Sequence, residues 1–302
     1  MLNVYLKLLL TAFFWGGTFV AGRMIAGRIS PSAVAFLRFA VASLVLFMLT
    51  WKIEGRLPSV RRRQVFPLFL LGMTGIFSYN LFFFKGLELI SAGRAALIIA
   101  LNPIFITICS GLFFRERLTL LKITGILVSV AGAIIVISRG SLGAILTEGI
   151  GWGEFYIFCC VLSWVTFSLI GKTILSGVTP LVSVTYSSAI GAVALFVPAY
   201  LDGMTAHWGG YTAVVWINIF YLGIFGTVVG FIWYYEGIKA IGPTKASLFI
   251  NFVPISAIVL AFFILGEPVT RSLLFGGLLV SSGVYMTNMR RRELAAPAAS
   301  SS

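Results

Sequence analysis

The sequence predicts an all-α polytopic membrane protein: ten transmembrane helices, laid out as two inverted repeats of five. Three observations carry that expectation. Hydrophobic residues make up 59% of the 302 and charged ones 10%, with a mean hydropathy of +1.04, whereas a soluble domain carries about 25% charged residues. Apolar runs long enough to cross a bilayer recur from end to end. The stretch 86–139 also occurs twice: shifted by 151 positions it aligns without a gap over 54 residues, 13 of them identical. Gly86 falls on Gly237, Pro103 on Pro254, Glu116 on Glu267, Thr119 on Thr270, Gly125 on Gly276 and Gly132 on Gly283. A shift of 149 puts Trp15 on Trp164 and Pro31 on Pro180.

In chain order the spans fall at 3–22, 32–51, 65–85, 93–114, 119–138, 152–171, 180–200, 212–235, 243–265 and 272–289. Helices are required because a spanning segment must satisfy its own backbone hydrogen bonds. A β-barrel needs short alternating strands, and these runs are continuous. The first run is long enough to span and has a counterpart in the second half, so it reads as a retained helix rather than a cleaved signal. The first repeat covers 3–140 and the second 150–290, joined by a glycine-containing stretch around 141–151. The Ala/Ser-rich tail, 291–302, reads as disordered.

Five spans is an odd number, so the second repeat enters from the opposite side. Basic residues set the orientation. Of the 22 Lys and Arg, fifteen lie on the side of the Lys52–Arg63 loop and the 290–292 cluster. Six lie on the other side, and Arg38 falls within a span. Both termini are therefore expected in the cytoplasm. The net charge of +13 reads as this topology signal and not as a nucleic-acid footprint.

The chemistry-bearing residues are few. Cys109, Cys159 and Cys160 lie in apolar runs without CxxC spacing, and His207 is the sole histidine. Neither a disulfide framework nor a metal site follows, and no cofactor motif is present. Nine Asp and Glu, none paired at mid-span, leave no catalytic constellation. Glu116 and Glu267 are each followed three residues later by Thr119 or Thr270. There the Thr is a good N-cap, and the Glu either binds basic side chains or free amides in the turn.

Candidate substrate-binding residues come from depth and symmetry. Trp favours interfaces, yet Trp15 lies about 18 Å into its helix at 1.5 Å per residue, near the midplane, and Trp164 is its equivalent. Both either wall an aromatic pocket or pack on small residues such as Gly16 and Gly17. Thr18 and Ser168 lie one turn beyond them. Tyr79 and Asn80 sit mid-span in the third helix, Phe231 and Tyr234 in the corresponding zone of the eighth. Pro103 and Pro254 are expected to bend their spans. Asn102 and Asn251, beside them, either line a pocket or satisfy the carbonyls the prolines free. Arg38, near the start of the second span, is expected to snorkel to the outer interface. Gly125 and Gly132, with Gly276 and Gly283, mark the fifth and tenth spans as scaffold helices, packed together or at a dimer contact.

W-G-G-T at Trp15–Thr18, N-P at Asn102–Pro103 and E-x-x-T closing each fourth span, on ten spans in an inverted repeat, resemble the drug/metabolite transporter superfamily in its EamA group. The resemblance covers about 3–290 and is nearest to the bacterial exporters of aromatic and neutral amino acids. It implies ten transmembrane helices around a central cavity, with the fifth and tenth standing outside it. It further implies secondary transport by alternating access in the bacterial inner membrane, with amino acids as substrate, lipid as surroundings and a possible homodimer. A rival on the same fold is an exporter of lipophilic cations, opposed by the absence of a carboxylate in the first span. A lipid-modifying enzyme is opposed by the missing catalytic constellation.

Overall fold

The computed structural model describes residues 2–55, 58–114, 119–138, 150–174, 179–241 and 248–288. Every regular element among them is helical. The first repeat holds α1 (Leu2–Ile25), α2 (Pro31–Glu54), α3 (Arg62–Leu89), the pair α4 (Ala92–Ile99) and α5 (Asn102–Phe114), and α6 (Leu120–Ile137). The second holds α7 (Trp152–Ile174), α8 (Pro180–Leu201), α9 (213–241), α10 (Phe252–Leu260) and α11 (Arg271–Asn288). Seven helices are long and apolar enough to cross a membrane. The fourth and ninth spans are shorter apolar helices, and α11 is the tenth. This is a multi-pass membrane protein.

Local sequence explains the boundaries. Ser30 caps α2 by accepting the amide of Ala33, Pro31 opens the helix, and Gly55 at φ 70° ends it. Thr179 and Pro180 repeat the same start at α8. Thr119 accepts from the Lys122 amide and Thr270 from the Leu273 amide, so the Thr of each E-x-x-T is an N-cap.

The two prolines act differently from the expected mid-helix bend. The fourth span is interrupted at Ala100 and Leu101, where amide bonds tighten to Leu101→Ile98 and Ile104→Leu101. Pro103 is the second residue of α5, and Pro254 the third of α10, which follows a 3-10 turn at Leu248–Asn251. A proline in the first turn removes an amide that has no helical acceptor anyway. The fourth span is therefore broken and restarted, and in the ninth the α-helix opens at Phe252 after a 3-10 turn, so neither proline sits in mid-helix.

The third and eighth spans share another irregularity. Gly72–Ser78 in α3 and Tyr221–Val229 in α9 are π-helical, and a shift of 151 superposes them. Such wide turns release carbonyls from the i→i+4 ladder and cluster at functional sites.

Packing is mirrored between the halves. A Cβ on Gly237 would meet Leu8, and one on Gly86 would meet Ile157, the equivalent pair. Thr18 lies against Gly226 as Phe167 lies against Gly75. α6 and α11 pack together as antiparallel partners: Gly132 abuts the backbone of Gly276 and Val280, and Gly283 that of Gly125 and Ser129. Ser129 Oγ donates to the carbonyl of Val280, its repeat equivalent, at 2.9 Å. These glycines thus serve a contact inside the chain.

Candidate functional site

The W-G-G-T motif is read out residue by residue. Trp15 Nε1 donates to the Gly226 carbonyl at 3.0 Å, an acceptor within the wide turn of α9. A Cβ on Gly230 would lie 2.6 Å from that nitrogen, so the indole is seated on a glycine face. Gly16 admits the Ser256–Ala257 backbone of α10, and Gly17 admits the Tyr221 hydroxyl, which donates to the Phe14 carbonyl at 2.9 Å. Thr18 spends its hydroxyl on the Trp15 carbonyl at 2.6 Å and lays its methyl on Gly226.

Two aromatic walls result, one from each pair of equivalent helices. Trp15 meets Phe231 and Tyr234 at 5.7 and 5.4 Å between centroids. Trp164 meets Tyr79 and Phe167 at 5.4 and 5.2 Å. Trp15, Tyr79, Trp164, Phe231 and Tyr234 are all half-buried. Ser168 bonds to the Trp164 carbonyl at 2.8 Å, the counterpart of Thr18. Tyr79 stacks on Phe83, which meets Phe19 of α1, so the second wall runs back to the first helix.

Between the walls lies a group that sequence reasoning placed wrongly. Arg38 does not snorkel: it is 7% exposed, about 10 Å down α2 at 1.5 Å per residue. Its Nη1 donates to Asn80 Oδ1 at 3.0 Å and its Nε to Thr227 Oγ1 at 3.2 Å. Both acceptors also satisfy their own helices: Asn80 Nδ2 donates to the Ile76 carbonyl, and Thr227 Oγ1 to that of Leu222, five residues back. Ile76 and Leu222 belong to the two wide turns. A single guanidinium therefore bridges the π-helical stretches of both halves. Asn80, 2% exposed, bonds through both its oxygen and its nitrogen in this bridge. Thr227, missed from the sequence, follows Gly226 in the only hydroxyl-bearing position of its turn apart from Tyr221.

Asn102 opens α5, is 8% exposed, and its Oδ1 has no hydrogen-bond partner. Asn251 is half-buried at the entry to α10 and makes no cap bond.

The ends of the bundle are tied by charge. Glu267 accepts from the Ala92 and Gly93 amides at 2.9 and 3.3 Å, capping α4 across the repeat boundary. Arg94, in the same first turn, pairs with Glu154 at 2.9 Å. A cavity of about 290 Å³ lies among Ser91, Arg94, Glu267 and Thr270, with no residue in common with the aromatic walls. Lys7 pairs with Glu236 at 2.6 Å, and their equivalents, Tyr156 and Lys85, form a cation–π contact at 5.8 Å. Glu116 lies outside the described residues. Among the described residues no group of His, Cys, Asp and Glu could hold a metal ion.

The EamA-like transporter family matches this chain over residues 2–138 and again over 151–289. The chain belongs to the EamA-like transporter family. It is 33% identical over 283 residues to YyaM, an uncharacterized transporter of Bacillus subtilis, covering 94% of this chain and 92% of that one. It is 28% identical over 298 residues, with 96% of both chains covered, to a probable terminal-alkyne amino-acid exporter of Streptantibioticus cattleyicolor. A crystal structure of a protein 19% identical superposes with a TM-score of 0.65 over 98% of this chain and 99% of that one, which shows the fold. This EamA-like transporter thus has mirrored aromatic walls, and a buried cation between the two halves.

Proposed function

We propose that this EamA-like transporter exports aromatic and neutral amino acids and related small metabolites across the bacterial cytoplasmic membrane by alternating access, with both termini in the cytoplasm. The observation that carries this reading is the pair of half-buried aromatic walls built on Trp15 and Trp164, on equivalent helices of inverted repeats. Inverted-repeat transporters place substrate near mid-depth between their halves. The name of the Streptantibioticus relative supports amino acids as cargo and export as direction. The test is counterflow of labelled amino acids into proteoliposomes across a panel of substrates. Counterflow of phenylalanine or leucine is expected; a panel that gives none while the protein stays folded overturns the assignment.

Trp15→Ala and Trp164→Ala are expected to leave folded protein and to weaken transport of aromatic substrates. One lost aromatic contact is worth about 0.5–1.5 kcal/mol beyond its buried area, roughly two- to tenfold in affinity. Alanine transport should suffer less than that of phenylalanine, and Trp15→Phe less than Trp15→Ala. Unchanged kinetics in both alanine variants would make these residues packing elements.

Topology is tested separately. With the three native cysteines replaced by alanine, a cysteine at the exposed Ser59 should resist impermeant maleimide in intact cells. One at the exposed Ala206 should react. The opposite pattern reverses the orientation.

A further inference from the structure

An uncompensated cation in the membrane interior calls for an explanation. Burying a guanidinium is costly unless it is paired. Six of the nine carboxylates lie among the described residues, and none faces Arg38. Glu236 holds Lys7, Glu154 holds Arg94, and Glu267 holds two amides. Glu54 accepts from Thr179, Asp202 from Ser32, and Glu88 ends α3 beside Gly27 and Lys85. Among the described residues Arg38 has two neutral acceptors, Asn80 and Thr227, and the Phe39 ring 5.1 Å away.

A guanidinium has five N–H groups, and those two bonds use two. Nη2 makes no hydrogen bond among the described residues. It lies 3.6 Å from the place a Cβ on Gly226 would take, a place the Thr18 methyl approaches to 2.6 Å, so the glycine lets the guanidinium and Thr18 come close together. Gly226 is also the residue whose carbonyl seats Trp15, and Asn80 adjoins Tyr79 of the other wall. Tyr79 lies within electrostatic reach of the charge. The unbonded Nη2 therefore lies beside the residues that seat both walls.

We infer that Arg38 binds an anionic group of the transported molecule, a carboxylate above all, so that the charge left unpaired by the chain is paired by its cargo. This rests on the proposed transport function and narrows its substrate class to small carboxylates with an apolar or aromatic body. Asn80 and Thr227 position the guanidinium, holding Nε and Nη1 so that Nη2 is presented. A planar fork matches a carboxylate better than a point charge does. The same cation repels lipophilic cations, which disfavours that rival cargo.

The test compares phenylalanine, phenylpyruvate, phenylalaninamide and phenethylamine as competitors of phenylalanine counterflow and as stabilisers of purified protein against heat. Phenylalanine and phenylpyruvate should compete and stabilise; the amide and the amine, which lack a carboxylate, should do neither. R38K should weaken carboxylate binding by about tenfold or more, because a point charge replaces the fork. N80D separates binding from structure. It keeps an acceptor for Nη1 and places a carboxylate of the chain on the guanidinium, giving up the Nδ2 donation to the Ile76 carbonyl; N80A gives up that donation too but adds no charge, so N80D should bind carboxylates less well than N80A. If Arg38 were only a clamp, N80D, which keeps an acceptor for it, would transport at least as well as N80A, which has none. That result would overturn the inference, as would phenethylamine competing as well as phenylalanine. If no amino acid is transported at all, the functional reading fails instead, and thermal stabilisation by phenylpyruvate in wild type but not in N80D decides Arg38 independently.

Discussion

Glu154→Ala is expected to destabilise the protein by about 3–5 kcal/mol, the cost of breaking a buried ion pair from one side. Glu154 is 6% exposed, and its carboxylate meets Arg94 Nη2 at 2.9 Å. The same nitrogen donates to the Ile137 carbonyl at the end of α6. Arg94 lies in the first turn of α4, beside the two amides that Glu267 caps. One cluster thus ties α4, α6 and α7 together with the turn before α11. Removing Glu154 strands a guanidinium where water is scarce. Thermal unfolding in detergent should show a large fall in Tm for Glu154→Ala and a smaller one for Glu154→Gln, which retains an acceptor. The double change Arg94→Met with Glu154→Leu should recover much of the loss, because an apolar pair of similar volume escapes the desolvation cost. A Tm for Glu154→Ala equal to that of the wild type would mean that the pair contributes nothing to the fold.

Gly132→Leu is the second large effect. An added Cβ would stand 2.6 Å from the Gly276 carbonyl oxygen and 2.7 Å from the Val280 nitrogen. Both obstacles are backbone, so no side-chain rotation relieves the clash. α6 and α11 must separate, and overpacking at such a site costs at least about 1–3 kcal/mol, with loss of the close contact on which small-residue helix pairs depend. Gly276→Leu should behave alike, since its own Cβ would stand 2.7 Å from the Gly132 oxygen. Gly210→Ala is the control, because a Cβ there meets nothing within 4 Å. Equal melting of Gly132→Leu and the control would overturn the account of this interface.

Much of the architecture was legible because the repeat leaves its marks in polar and conformationally special residues. Gly125, Gly132, Gly276 and Gly283 announced the α6–α11 pair, and Thr119 and Thr270 announced their caps. Apolar periodicity announced the spans. The wide turns were not legible, because a π-helical stretch has no composition of its own. Arg38 was misplaced for that reason. Near the start of a span, a long basic side chain has an obvious route to the interface. The competing partners, Asn80 and Thr227, become acceptors there only because their own helices are widened beneath them. The prolines were expected to bend their helices, and sequence alone did not show that each sits in the first turn of one. Trp15 and Trp164 were legible from depth, whereas the acceptor of the Trp15 indole, a backbone oxygen, has no side-chain signature.

The wide turn in α9 also sets the phase of that helix. A π-helical stretch takes in one extra residue, and at 3.6 residues per turn one residue is worth about 100° of rotation. Everything after Val229 is turned by that angle relative to an uninterrupted helix. Phe231 and Tyr234 meet Trp15 in that turned setting, and Trp233, on the next face, meets Phe14. A return of 221–229 to ordinary helical geometry would swing the aromatic side chains about the helix axis without moving the axis itself. The matching stretch in α3 gives Tyr79 the same freedom. Each half thus carries one such phase shift, and the Arg38 bridge between Asn80 and Thr227 ties the two together.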